Sequence, residues 1–291
     1  MPNPDQALDF SNLEADIHQA VSANFIAVRK QHARSQRRMA DLLDLSLSQY
    51  KKFENGTEIP RLHTTAKWSL LTGNNIYVLL LNTPYASLVP NIEPVTTLRP
   101  FAFVIGHLNP SMFTAWLKVI AASAELSCNY EESPSYEVID LAKVFDNFEE
   151  KYYQNIAQNL RVFRANHGYS QHYVAECMGM SSQAYAAYES IESHSRIPLT
   201  SALRFAATFS VNTASLSAGT FYGEYRARQD KRLAAVHELV SQMPEGKRRS
   251  AEISAIMYSR WMQNDQTICL SRGGLLDHDE VVERRLKQIP R

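Results

Sequence analysis

The chain has 291 residues, 45% of them hydrophobic, with 30 basic and 30 acidic side chains in balance; this suits a packed core in one large or two ordinary domains and leaves composition silent about nucleic acid. Three widely separated cysteines, Cys128, Cys177 and Cys269, exclude a disulfide framework and a zinc pattern, in keeping with a reducing compartment. No stretch approaches the roughly 18 apolar residues of a membrane span, and Met1-Pro-Asn-Pro-Asp lacks the basic-then-apolar order of a signal peptide, so a cytoplasmic chain with no membrane partner is expected.

Ten glycines and few alternating apolar runs point to an all-α fold. Residues 1–12 carry no helical pattern. Leu13 to Arg34 reads as one long amphipathic helix or two abutting ones, with Ile17, Val21, Phe25 and Val28 as the apolar stripe. In Ser35–Gly56, apolar or small residues at Met39, Ala40, Leu43, Leu45, Tyr50 and Phe53 keep helical spacing on both sides of Asp44-Leu45-Ser46 but not across it. The pattern predicts two short helices, at about 36–43 and 47–54, around a tight turn. Ser35 and Ser46 are placed to cap them, Asp44 sits where a left-handed residue is wanted, and Asn55-Gly56 closes the unit. Further helices are expected at about 61–72, opened by Ile59-Pro60, and at 75–81. Residues 24–80 hold nine basic against four acidic side chains, the electropositive stretch of the chain.

Ser35–Gly56 resembles the helix-turn-helix of the phage-repressor (Xre/Cro-like) family. That family's pattern is Ser/Asn-Gln, two variable residues, apolar-Ala, a glycine turn, a recognition helix and Glu-Asn-Gly; only Asp44, in the glycine slot, departs from it. The resemblance implies a five-helix module whose second turn helix lies in the major groove of double-stranded DNA. By position, Leu47, Ser48, Lys51 and Lys52 then face the groove. Ser48 reads by hydrogen bonding, Leu47 touches a thymine methyl, and the lysines reach guanine acceptors or phosphate. Gln36, Ser46 and Asn55 occupy phosphate-contacting positions, and Arg34, Arg37 and Arg38 add nonspecific charge. In resembling repressors the Arg ending helix one meets the Glu ending the recognition helix, which assigns Arg29 and Glu54 to a structural ion pair.

Prolines 84, 90, 94, 100 and 110 predict an extended crossing segment packed through Leu88, Val89, Leu98 and Phe101, with a short helix or strand at 101–108. Ser111–Leu126 reads as a helix with Met112, Phe113, Trp116, Val119 and Ile120 inward, and 127–135 as a polar seam. Val138–Arg164 reads as one acidic helix with Leu141, Val144, Phe145 and Phe148 as its stripe. The unit then recurs. Shifted by 135 positions, Ser35, Gln36, Ala40, Tyr50 and Glu54 fall on Ser170, Gln171, Ala175, Tyr185 and Glu189, Arg29 falls on Arg164, and Gly179 takes the place of Asp44. Ile197-Pro198 answers Ile59-Pro60 and opens a helix at 199–209. The second copy offers Gln171, Ser181, Ser182, Gln183, Ala186 and Ala187 to DNA, with no lysine; it either reads a second half-site or has become a packing platform. Tyr225–Met243 reads as a basic amphipathic helix, Pro244-Glu-Gly as a break, and Lys247–Met262 as another helix. The pattern echoes 101–126 around Asn109-Pro110. Arg272-Gly-Gly reads as a loop and Leu275–Gln288 as a charged terminal helix.

No phosphate loop, G-x-S-x-G, H-E-x-x-H or spaced Cys–His pattern supports an enzyme or a cofactor. Asp277-His278-Asp279-Glu280 is explained by acids at a helix N-terminus. The expectation is two repressor-like modules in tandem, each followed by extra helices, divided as 1–83, 84–135, 136–220 and 221–291. The extra helices fix the spacing of the modules or make a homodimer. The competing reading is a regulator whose second module and extra helices bind a protein, peptide or small ligand.

Overall fold

The computed structural model describes residues 8–88, 95, 97–132, 137–192, 195–211, 213–261 and 267–270. The expectations for Val89, Arg272-Gly-Gly, the 277–280 cluster and the helix 275–288 lie outside them. The described residues are helical apart from one two-stranded antiparallel ribbon, β1 Glu137–Asp140 with β2 Thr267–Leu270. No helix among them is long and apolar enough to cross a membrane.

The first unit runs through α1 (Phe10–Glu14), α2 (Ile17–Gln31), α3 (Gln36–Leu42), α4 (Leu47–Glu54) and α5 (Leu62–Thr72), followed by 3-10 turns at Ile76–Leu80 and Pro84–Ser87. The stripe Ile17, Val21, Phe25 and Val28 is buried. Phe10, placed in the loose N-terminus by sequence, opens a helix and is also buried. The proline-rich crossing segment is not extended where it is described. It turns through Pro84–Ser87 and Arg99–Phe101 into α6 (Ala102–His107) and α7 (Pro110–Ser123), because each proline sits at the first or second helical position, where its missing N–H costs nothing.

The second unit differs at its start from the sequence expectation. The expected single helix 138–164 is broken into β1, α8 (Leu141–Phe145) and α9 (Phe148–Asn166). Asp140 caps α8 through Ala142 N at 2.9 Å, and Asn147 breaks the chain at φ 52°, a left-handed position that asparagine tolerates. Then come α10 (Gln171–Cys177), α11 (Ser182–Glu189), α12 (Leu199–Phe209) and α13 (Thr213–Leu216). The offset between the copies is 135 up to α11 and becomes 137 at α5 and α12, from Leu62 to Leu199. The Ile-Pro pairs therefore do not superpose: Pro198 is the N-cap of α12, whereas Pro60 precedes the N-cap Arg61 of α5. In the new register the copies agree down to single hydrogen bonds. Asn24 Nδ2 donates to Leu79 O and Leu81 O, and Asn159 Nδ2 to Leu216 O and Ala218 O. Thr83 Oγ1 donates to Leu80 O at 2.7 Å, and Thr220 Oγ1 to Ser217 O at 2.6 Å. The left-handed residues Asn82 (φ 65°) and Gly219 (φ 76°) match, as do buried Tyr85 and Tyr222. The repeat thus extends further than the turn motif alone reveals.

Both units share one core, which reaches Tyr222 and Tyr225 at the start of α14 (Phe221–Ser241). A second core joins α6 and α7 to the end of α14 and to α15 (Glu245–Trp261) through Phe101, Phe113, Trp116, Val236 and Val240. At 21 residues, roughly 31 Å, α14 is long enough to strut both. Its basic character is not a solvated face: Arg226, Arg228 and Arg232 are buried. Arg228 Nη2 donates to Gly106 O at 2.7 Å, and Arg232 Nη1 to Ile105 O and Leu108 O at 3.0 and 2.8 Å. Arg232 also pairs with Glu132 at 2.7 Å. These guanidinium groups satisfy the orphan carbonyls ending α6, where the helix dipole favours a cation. Val119, placed inward by its spacing, is 67% exposed.

Candidate nucleic-acid interface

The geometry of the first helix pair is set by its caps. Ser35 Oγ accepts from Arg38 N at 3.1 Å, and Ser46 Oγ accepts from Gln49 N at 3.0 Å. Between them Asp44 takes φ 57°. An aspartate there carries the left-handed strain that glycine avoids. Asp44→Gly is expected to raise stability by about 0.5–1 kcal/mol in urea titration, the gain being limited by glycine's larger unfolded-state entropy. An unchanged or lower midpoint would show that Asp44 makes a compensating interaction.

The short α4 has a strict division of faces. Tyr50, Phe53 and Glu54 are buried, Ser48, Lys51 and Lys52 are exposed, and Leu47 is half-buried between them. Its far end is tied to α2: Ser22 Oγ donates to Glu54 O at 2.5 Å, His18 Nδ1 lies 3.1 Å from Gly56 O, and Gly56 turns away at φ 68°. The exposed side chains are thus presented by a helix fixed at both ends.

A buried clamp holds that helix from beneath. Arg29 Nε and Nη2 reach the two Glu54 oxygens at 2.5 and 2.9 Å, and Arg29 Nη1 donates to Arg34 O at 3.1 Å. Gln36 Nε2 adds 2.7 Å to Glu54 Oε2. Burial alone would raise the Glu54 carboxyl, but the bonds from Arg29 and Gln36 outweigh it and hold the carboxyl below its ordinary range. The same clamp recurs as Arg164, Glu189, Tyr169 O and Gln171, with Nε–Oε1 and Nη2–Oε2 distances of 2.7 and 2.9 Å. Gln36, expected at phosphate, and Gln171, expected at DNA, therefore each donate one amide hydrogen inward. What remains toward solvent is the other half of the amide, at a helix N-terminus.

The cationic side chains divide into two groups. Arg37, Arg38, Lys51 and Lys52 are exposed around α3 and α4. Arg37 approaches Asp41 at 3.8 Å, and Lys52 approaches Glu58 at 3.6 Å, both solvent-exposed pairs of small energetic weight. Arg34 is different. It donates inward to Leu71 O at 3.3 Å, and burial, then neighbouring Arg38, pushes its pKa down to about 10. It contributes to packing rather than to the outer cationic surface.

The second pair repeats the caps, with Ser170 and Ser181 accepting from Tyr173 N and Ala184 N, and Gly179 at φ 62°. On α11 Tyr185 and Glu189 are buried, Gln183 is exposed, and Ser182, Ala186 and Ala187 are half-buried. Ser182 Oγ lies 3.0 Å from His172 Nδ1. Instead of the Asn55-Gly56 turn, the chain leaves through Ser190 in an extended conformation. The second face keeps the shape of the first without its charge.

Among the described residues no group of three metal-ligating side chains converges. A groove of about 350 Å³ lies between α7 and α15 and includes no residue of either pair. It is lined by Met112, Trp116, Val119 and Tyr258 among others, with Trp116 Nε1 donating to Ser254 Oγ at 3.0 Å. The duplicated interactions of Asn24 and Thr83 and the duplicated burial of Tyr85 were missed from sequence, although the same self-comparison, continued past the Ile-Pro pairs with an adjusted offset, would have found them. Comparison with protein-family models, with curated proteins and with solved structures gives no match for this chain.

Proposed function

We propose that the protein is a sequence-specific double-stranded DNA-binding transcriptional regulator with two repressor-like helix-turn-helix modules in one chain, and that it is not an enzyme. The observation that carries this reading is the division of α4. Ser48, Lys51 and Lys52 are exposed on a helix whose opposite face is buried and clamped through Glu54. A fixed helix with a hydrogen-bonding and cationic outer face suits a major groove, where lysine reaches guanine acceptors or phosphate. Arg37, Arg38, Ser46 and Asn55 border it, all exposed, and supply the salt-sensitive interactions with the DNA backbone. In the second module Gln183 is the side chain best placed to read, through adenine.

The test is a gel-shift titration of Lys51→Ala/Lys52→Ala on DNA selected by the intact chain. Affinity is expected to fall at least tenfold, and the dependence of log K on log salt to flatten by up to about 0.9 for each phosphate that a lysine no longer neutralises. Unchanged affinity and slope would discard the reading. It would favour the alternative, a partner-binding regulator acting through the α7–α15 groove, which is lined by the exposed Val119.

A further inference from the structure

The way the two units touch says how two reading helices would meet one duplex. The junction between them is reciprocal. Arg204 of α12 lies over the ring of Phe10 at 4.8 Å, and Lys67 of α5 lies over the ring of Phe145 at 4.9 Å. Phe10 and Phe145 are equivalent at the 135 offset, and Lys67 and Arg204 at the 137 offset. Each unit thus places its own α5-type cation on the other unit's N-terminal aromatic ring. The N-caps of α5 and α12, Arg61 and Pro198, form an antiparallel bridge, with Leu62 N donating to Ile197 O at 3.0 Å. An interface in which patch A meets patch B while B meets A is isologous, and isologous pairing means a two-fold axis. Here the axis passes through one chain, beside the Arg61–Pro198 bridge. A head-to-tail array of the two repeats would have put unlike patches together.

Short segments connect both faces to that axis. Seven residues separate Glu54 from Arg61, and nine separate Glu189 from Pro198. Fully extended they reach at most about 25 and 32 Å, so a separation of about 34 Å, one turn of DNA, is open to the pair. Apart from the two-residue change of offset before α12 and the helices that close on α5, what distinguishes the two faces is chemistry. One helix offers Ser48, Lys51 and Lys52; the other offers Gln183 with Ala186 and Ala187. A cationic face suits guanine acceptors, while glutamine and small apolar side chains suit adenine and a thymine methyl.

We infer, on the footing of the DNA-binding reading, that one chain occupies an operator of two inverted, unlike half-sites, guanine-bearing under the first unit and A·T-rich under the second. A homodimer on a palindrome has no direction, but this arrangement does. α14 starts within the second unit, where Tyr222 packs on Tyr152, but α6 and the middle of α14 close on the end of α5 remote from the axis, through His107 Nε2 at 2.8 Å from Leu70 O and Gln229 Nε2 donating to Gly73 O at 2.6 Å. α6, whose Phe103 also meets the His32 ring, is therefore placed on the guanine-bearing side of the operator.

The test is selection of random duplexes by the intact chain, followed by stoichiometry in an analytical ultracentrifuge and a matrix of half-site changes. The expected result is one chain on two inverted, unlike halves centred about one turn apart. Lys51→Ala/Lys52→Ala should abolish discrimination, roughly tenfold, at one half only, and Gln183→Ala at the other. Direct repeats, a single half-site, or two chains on a symmetric palindrome would overturn the inference while leaving DNA binding intact. Enrichment of no sequence would instead overturn the DNA-binding reading on which it rests.

Discussion

Glu54→Ala is expected to lower the stability of the first unit by about 3 kcal/mol, seen as a lower urea midpoint with little change in slope. The carboxylate side chain is 2% exposed and accepts three side-chain hydrogen bonds, two from Arg29 and one from Gln36. Removing it leaves a guanidinium that is only 15% exposed with one remaining acceptor, Arg34 O. The larger part of the cost is that stranded charge, not the missing attraction, because a buried pair returns little more than its own desolvation. Arg29→Met/Glu54→Leu should therefore cost clearly less than the sum of its single changes, a coupling that a double-mutant cycle measures. Glu189→Ala should behave alike but more mildly, since Arg164 is 25% exposed and better able to rehydrate. Equal stability of Glu54→Ala and the parent chain would show that α4 is held by Tyr50 and Phe53 alone. The carboxylate, held below its ordinary range, supports folding fully above the unfolded value of 4.5 and loses that contribution as pH falls through the folded value.

How much of this was legible in the sequence depended on the range of each interaction. The turn at Asp44, the serine caps and the buried stripe of α2 are local: they follow from the residue's own backbone preference or from helical spacing, and no distant partner is needed to see them. The clamp spans only 25 residues, from Arg29 to Glu54, and its repetition at Arg164 and Glu189 made it visible. What escaped was long-range. Phe10 is buried because Arg204 and Glu14 come together across a sequence separation of 190. Tyr225–Met243 read only as a basic amphipathic helix, and the burial of its Arg226, Arg228 and Arg232 escaped because nothing nearby in sequence announces the carbonyl ends of α6, which lie more than 120 residues away for Arg228 and Arg232. The ribbon pairs four residues at 137–140 with four at 267–270, too short for a periodicity and too far apart for a hairpin signal. Val119 shows the opposite failure, a helical spacing that fits the stripe on a side chain that lines an open groove between α7 and α15. The candidate interface itself lies at the legible end of this scale. Exposure of Ser48 and Lys51 is the complement of the burial of Tyr50 and Glu54 on one short helix.

Acidification from pH 7 to pH 5 is expected to destabilise the protein by roughly 4 kcal/mol through two histidines. His63 and His32 are both pushed down to about 3, in each case mainly by burial. Lys67, Arg196 and Arg61 add to the shift at His63, and Arg34 and His107 add to it at His32. His63 Nε2 does lie 3.4 Å from Glu149 Oε2, but three cations and a largely enclosed ring outweigh that single carboxylate. Above the unfolded value of 6.5 both states are neutral and the histidines make no difference. Below it the unfolded chain takes up protons that the folded chain refuses, so stability falls with pH, by about 1.4 kcal/mol per unit for each ring, until the folded value near 3 is reached. Glu14, Glu54 and Glu189 are held below the ordinary carboxylate value of 4.5 and begin to contribute only lower down, which leaves pH 5 to 6.5 to the histidines. His63→Gln should remove about half of the dependence, and equal urea midpoints at pH 7 and pH 5 in the parent chain would refute the account. The position of His63 gives the loss a direction. Its Nδ1 lies 3.0 Å from the Tyr153 hydroxyl, which donates to Ile197 O at 3.4 Å, beside the bridge that joins the two units. A ring forced to charge there loosens the seam before either clamp, so affinity for a duplex that needs both units should fall with acid more steeply than affinity for one that needs only the first.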